Sequence, residues 1–198
     1  MTDGVDNSKR RFLTIAATSG VAAVGAGFAA VPFIASWNPS ARAKAAGAPV
    51  EADFSKLQPG QMMRVEWRGK PVWIVRRTEK NLTDLPSLND SLRDPASAIE
   101  SQQPVYAKNE TRAINSEYSI LVGICTHLGC SPTYRPELAP ADLGENWKGG
   151  FFCPCHGSRF DLAGRVYKNV PAPTNLVVPP HKYLSETRVI IGVDQGAA

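Results

Sequence analysis

Outside its first fifty residues, this chain of 198 residues has almost no excess of basic over acidic side chains. The formal net charge is +4, but residues 1–50 carry five basic and two acidic side chains, which gives +3 and leaves only +1 for the rest. A nucleic-acid-binding body would show a basic stripe with aromatic residues between the basic ones. None is present, so the sequence predicts no nucleic-acid partner.

Charged residues are missing altogether from Phe12 to Ala41. Within this stretch residues 12–37 are mostly Ala, Gly, Val, Ile and Phe, and a helix that spans a bilayer needs about 20 such residues. A cleaved signal peptide has a shorter apolar core, of about 7–15 residues, and it would be cut after a site such as Ala43-Lys44-Ala45. The length of the run therefore favours a retained transmembrane anchor over residues 12–37.

The segments on either side of this run have different compositions. Residues 1–11 end in the cluster Ser8-Lys9-Arg10-Arg11, which resembles a twin-arginine export signal with Lys9 in the place of the first arginine. Basic residues beside a span stay on the cytoplasmic side, so the body that follows is expected outside. Residues 38–50 are rich in Ala, Pro and Gly and are predicted to form a hinge whose stiffness the composition leaves open.

Residues 51–198 show short strand-like runs separated by turn residues, without internal repeats. Sixteen glycines and sixteen prolines in the chain fit a body rich in loops. The pattern predicts an antiparallel β-sandwich or small barrel, with a polar excursion over residues 78–97. The predicted strands are Met62–Trp67 and Pro71–Val75, which form a hairpin, and Tyr118–Ile124, Phe151-Phe152 and Arg188–Val193.

All four cysteines and two of the three histidines lie in two short boxes, CTHLGC at 125–130 and CPCHGS at 153–158. Two cysteines and two histidines could hold a structural zinc ion. A zinc site would leave two surplus thiols, and in an oxidising compartment such thiols are expected to join as a disulfide. Cys-x-His with Cys-x-x-His is also the spacing of centres in which two histidines replace two cysteines on one iron. The third histidine, His181, is expected to face solvent from a loop.

The two boxes resemble those of the Rieske iron–sulfur proteins of cytochrome bc complexes. Residues 164–166 and 170–173 are similar to the family's proline-rich loop, which covers the cluster. The resemblance implies a β-sandwich with a small cluster-binding subdomain and one [2Fe-2S] cluster. It assigns Cys125 and Cys153 to the buried iron, His127 and His156 to the outer iron, and Cys130 and Cys155 to a disulfide. It places Gly157, Ser158, Phe160, Pro171 and Pro173 around the cluster.

The same resemblance implies a function in electron transfer. The cluster would take an electron from ubiquinol, with a proton passing to the exposed histidines, and movement of the domain would carry the electron to a c-type cytochrome. His156 and His127 would face the quinol, and Leu128 would belong to the apolar tip that docks there. The implied partners are cytochrome b, a c-type cytochrome, ubiquinol and lipid in a dimeric complex of the bacterial inner membrane, with the body in the periplasm.

Two other families remain as alternatives. The small Rieske subunit of a periplasmic oxidase, such as arsenite oxidase, need not have this proline-rich loop or a retained anchor. Rieske ferredoxins and oxygenase domains generally lack the surplus cysteine pair and the anchor.

Phe160 departs from many mitochondrial relatives, which have tyrosine at this position. The tyrosine hydroxyl donates a hydrogen bond to a ligand sulfur, and such a bond stabilises the reduced, more negative centre. We expect Phe160→Tyr to raise the midpoint potential, measured by redox titration of both proteins. An unchanged midpoint would contradict this expectation.

Overall fold

The computed structural model describes residues 6–195, which divide after Ala45 into two compact units. The N-terminal unit is dominated by helix α1 (Asn7–Ala35), which begins where the Asp6 carboxylate accepts the backbone N–H groups of Ser8 and Lys9. At 1.5 Å per residue its 29 residues span about 43 Å, more than the hydrocarbon core of a bilayer. The helix is long and apolar enough to cross a membrane.

The predicted anchor and hinge differ in detail from the observed elements. Helix α1 begins before the apolar run, because the basic cluster continues the same helix, and it ends two residues before Trp37. A second, short helix, α2 (Ala41–Ala46), occupies half of the expected hinge. Val50 already belongs to the first strand.

Among residues 46–195 of the C-terminal unit the regular structure is mostly three antiparallel sheets of three strands each, which confirms the predicted fold class. The first sheet has the order β1-β9-β8, the second β2-β3-β4 and the third β5-β6-β7. Their bounds are β1 Val50–Asp53, β2 Met62–Trp67, β3 Lys70–Arg76, β4 Tyr118–Val122, β5 Thr133–Arg135, β6 Gly150–Cys153, β7 Ser158–Asp161, β8 His181–Ser185 and β9 Arg188–Ile191.

The second sheet is the central layer, because its side chains alternate between two cores. On β3, Val72 and Ile74 pack with residues of the first sheet, including Val189. Trp73 and Val75 point the other way, into a core that contains the third sheet. The ring of Trp73 stacks on Phe151 with a centroid distance of 4.7 Å. This second core also holds the cysteines of the candidate site, so the central sheet supports that site directly.

The hairpin between β2 and β3 has a two-residue turn, Arg68-Gly69, whereas the predicted strands left three residues between them. Both residues have positive φ, 53° and 68°, which is the geometry of a type I′ turn and matches the twist of the strands. The hairpin register pairs Met62 with Val75 and Trp67 with Lys70.

The polar excursion predicted between the hairpin and β4 is present and mostly irregular. It contains helix α3 (Glu79–Asp84), which is started by a capping box between Thr78 and Asn81. Three short 3-10 helices follow, at Pro86–Ser91, Glu100–Gln102 and Val105–Ala107.

The expectation for His181 was wrong: it opens strand β8 and is only 1 % exposed. Its Nδ1 lies 2.8 Å from the carbonyl oxygen of Pro179, so this nitrogen carries the proton and donates. The Tyr106 hydroxyl donates to the carbonyl oxygen of His181 and accepts its backbone N–H. Pro179 and Pro180 suggested an exposed loop, whereas pairing of β8 with β9 draws the ring inside.

Burial of the ring predicts a pH-dependent stability. Burial lowers the pKa of His181, although the Pro179 carbonyl and Asp194 oppose this effect. The unfolded chain, with its ordinary pKa of about 6.5, therefore binds the proton more readily. The stability that the neutral ring gives is complete above that pH and is lost as the pH falls below about 6.5. We expect His181→Asn, which can still donate to Pro179 but does not titrate, to flatten the pH dependence of urea unfolding between pH 7 and pH 5. Equal slopes for the two proteins would contradict this.

Candidate metal centre

The two boxes form two loops with the same closure. The Gly129 N–H donates to the Cys125 carbonyl oxygen at 3.0 Å, and the Gly157 N–H donates to the Cys153 carbonyl oxygen at 2.9 Å. Both glycines have left-handed φ values, 86° and 77°, which residues with a Cβ adopt only at a cost. Each loop therefore returns on itself within five residues and presents its histidine at the turn.

Strands fix where each loop starts. Strand β4 is buried along its whole length and is followed at once by Gly123, where an added Cβ would lie 2.2 Å from the Trp73 ring. Only glycine allows the chain to pass this ring and reach Cys125. The second loop joins β6 to β7, whose register pairs Cys153 with Ser158.

The structure places the two predicted sulfur ligands in one core and the two predicted imidazoles next to each other. Cys125 and Cys153 are free thiols, each 2 % exposed. His127 is half-buried and His156 is exposed, and their ring centroids lie 4.8 Å apart with the planes nearly perpendicular. The sulfur donors thus lie inside and the nitrogen donors at the surface. Their binding to iron stays a prediction.

Cys130 and Cys155 form a disulfide that links the two loops. Their sulfur atoms and that of Cys153 all lie within 4.8 Å of one another, an arrangement that could suggest a metal site of three cysteines. Two of these sulfurs are already bonded to each other and cannot act as thiolate ligands. Among these three, Cys153 alone keeps a free thiol.

Burial raises the pKa of the Cys125 thiol, and the neighbouring Cys153 raises it further. The backbone N–H of His127 and the hydroxyl of Ser158 act in the opposite direction by hydrogen bonding to the Cys125 sulfur. A thiol in an apolar core, like that of Cys125, is a poor thiolate unless a cation compensates its charge. The donor set of two inner sulfurs and two outer nitrogens therefore fits a bound iron–sulfur cluster.

The proline-rich loop is attached to both boxes by hydroxyl groups. Ser158 Oγ accepts the N–H of Ala172 at 3.1 Å, and Thr126 Oγ1 donates to the carbonyl oxygen of Thr174 at 2.7 Å. Pro171 and Pro173 are exposed, while Ala172 between them is fully buried in the same core as the free cysteines. Sequence analysis did not identify Thr126 or Ala172. A hydroxyl residue between Cys125 and His127 was the available signal.

Leu128 and Phe160, two further residues that the resemblance assigns to the site, differ in their burial. Leu128 is 72 % exposed beside His127. Phe160 is fully buried and packs in the core that contains Cys125 and Cys153. Its position is close enough to the cysteines for the ring to affect their surroundings.

Comparison with known families matches two adjoining parts of the chain. Residues 1–40 match the family described as the ubiquinol–cytochrome c reductase iron–sulfur subunit twin-arginine signal. Residues 49–181 match the Rieske [2Fe-2S] domain. The cofactor is therefore a Rieske [2Fe-2S] cluster, and this excludes the structural zinc site.

Similar proteins match this chain over most of its length. The ubiquinol–cytochrome c reductase iron–sulfur subunit of Allochromatium vinosum is 65 % identical over 98 % of this chain and 93 % of the relative. That of Bradyrhizobium diazoefficiens is 40 % identical over 94 % and 96 %. A solved chain of a hyperthermophilic respiratory Complex III is 28 % identical, covers 89 % of this chain and 97 % of its own, and superposes with a TM-score of 0.48. The chain belongs to the family of ubiquinol–cytochrome c reductase iron–sulfur subunits.

Proposed function

We propose that this protein transfers single electrons from ubiquinol to a c-type cytochrome, as the membrane-anchored iron–sulfur subunit of a cytochrome bc complex. The observation that carries the proposal is a pair of buried thiols beneath a pair of outward-facing imidazoles. Relatives that match nearly the whole chain are named as subunits of this reductase. The matched N-terminal segment favours it over the small subunit of a periplasmic oxidase.

Cys125 and Cys153 would hold the inner iron, and His127 and His156 the outer iron. When bound, the cluster supplies a one-electron acceptor whose potential is high because neutral imidazoles replace two thiolates. Each imidazole uses one ring nitrogen for the metal and keeps the other for a proton. The burial of Cys125 and Cys153 keeps water from the sulfur side.

The exposed ring of His156 is the group that would meet the quinol. A quinol hydroxyl would donate its hydrogen bond to the ring nitrogen that does not hold the metal, and this nitrogen would accept the proton, while the bound cluster would supply the acceptor for the electron. Leu128, exposed next to His127, would fill an apolar part of the quinol pocket and displace water there. The same surface would later face the haem of the c-type cytochrome.

The proposed organisation has residues 1–11 in the cytoplasm, an anchor over 12–37, a hinge over 38–50 and the Rieske domain over 51–198. The body then lies in the periplasm of a bacterial inner membrane, surrounded at the anchor by lipid and by cytochrome b of a dimeric complex. The twin-arginine route suits this arrangement, because it carries proteins that fold before crossing.

Detergent extraction of membranes tests the assignment. We expect the protein to co-purify with b- and c-type haems, and its low-temperature EPR signal to grow on addition of ubiquinol. Extraction of the protein without haem, or with a metal centre that ubiquinol fails to reduce, would contradict the proposed function.

The hinge gives a second test, because the Rieske domain must move between two partners. Gly47→Pro with Ala48→Pro would create, together with Pro49, three consecutive prolines and a stiff extended segment. We expect a several-fold lower rate of quinol-dependent cytochrome c reduction with an unchanged EPR spectrum. Gly47→Ser with Ala48→Ser is the flexible control. Equal turnover in both variants would remove domain movement from the mechanism.

A further inference from the structure

Four charged side chains lie buried together behind the third sheet, and none of them belongs to the candidate metal centre. Arg112, Arg165 and Asp161 are fully buried, and Arg77 is 2 % exposed. We call these four residues the buried arginine group. Charged side chains are rarely buried unless they are paired, because removing a charge from water is costly.

Only one of the three arginines has a carboxylate partner among its hydrogen bonds. Arg165 Nε donates to Asp161 Oδ2 at 2.7 Å, and the other oxygen of this carboxylate accepts the backbone N–H groups of Ala163 and Arg165. This ion pair is completely enclosed. Both carboxylate oxygens of Asp161 are therefore occupied by hydrogen bonds within residues 161–165.

The other two arginines bind neutral groups. Arg112 donates to the Ala163 carbonyl oxygen at 3.2 Å and to Gln103 Oε1 at 2.9 Å. Arg77 donates to the carbonyl oxygens of Thr111 at 2.8 Å and Ser116 at 2.9 Å. With three guanidinium groups and one carboxylate, the group has a net charge of +2.

Arg77 and Arg112, whose hydrogen-bond partners are neutral, keep their charge at physiological pH. Burial lowers the pKa of Arg77 and of Arg112 to about 10, and Asp161 and Arg165 act on both with opposite signs. A pKa of about 10 leaves each guanidinium almost completely protonated at neutral pH. Asp94, which is partly buried, also raises the pKa of Arg112, so its carboxylate offsets part of the excess positive charge of the group.

The buried arginine group lies around the loop that follows β7, a strand of the same sheet that carries the second cysteine box. Strand β7 pairs Ser158 with Cys153 and Asp161 with Gly150, so Asp161 is three residues further along the sheet, about 10 Å at 3.3 Å per residue. Gly164 fits between Arg112 and Leu121, since an added Cβ would lie 3.2 Å from the guanidinium and 2.9 Å from the leucine. Leu121 belongs to the core that contains both free cysteines. Apolar protein, rather than water, separates the charges from the centre.

We propose that the buried arginine group raises the midpoint potential of the cluster. An added electron makes the cluster more negative, and a positive charge attracts it strongly across a medium of low dielectric constant that salt does not screen. This inference rests on the proposed function, because it concerns the potential at which ubiquinol is oxidised. A purely structural role, in which the arginines only satisfy backbone carbonyls, does not require a net charge.

Redox titration of the complex, followed by EPR, separates these two roles by the sign of the change. Arg112→Gln and Arg77→Gln each remove a buried positive charge and are expected to lower the midpoint. Asp161→Asn removes the buried negative charge and is expected to raise it. Arg64→Gln is the control, because Arg64 is exposed in a groove beside Gly129, where water screens its charge. We expect a much smaller shift for this variant.

Opposite shifts for the arginine and aspartate variants, with unchanged EPR g-values, would support the inference. Shifts of one sign in all three buried variants would indicate that loosened packing admits water, and would overturn it. Midpoints that stay within the shift of the control would overturn it as well. If the wild-type complex itself gave no signal reducible by ubiquinol, the proposed function would fail, an outcome distinct from either of these.

Discussion

The burial of strands β3 and β4 on both faces of the central sheet is the constraint on which the rest of this domain depends. These strands place alternate side chains in two cores, with Ile74 and Ile120 on one side and Trp73 and Leu121 on the other. A strand covered on both sides cannot slip by one residue, because a slip would exchange the two sets of side chains. The end of β4, and with it the start of the first loop, is therefore fixed.

The site combines three links between segments that are distant in the chain. A disulfide joins the two loops, and hydrogen bonds from Thr126 and to Ser158 join each loop to the segment around Ala172. These links leave the imidazoles of His127 and His156 as the outer surface. A rigid base with exposed rings suits a centre that must meet successive partners with little reorganisation of its own.

The charges are distributed unevenly between the N-terminal segment and the body. The excess charge counted along the sequence lies mainly in the first fifty residues, where the basic cluster belongs to the matched twin-arginine signal. The body appears almost neutral by composition. Within it, however, acidic side chains at the surface offset buried arginines, and water screens only the former. Net charge alone therefore says little about the potential at the metal centre.

The sequence by itself determined the elements whose signal is local. The apolar run, the hairpin and the two boxes could all be recognised, because spacing and residue type within a few positions specify them, and the resemblance to a family added the proline-rich segment. Only the tertiary structure decided the burial of His181, the attachment of Ala172 and the assembly of Arg77, Arg112 and Asp161. These depend on which distant strands pair and which core encloses them, and a contact between residues far apart in the chain leaves no periodic trace in either segment.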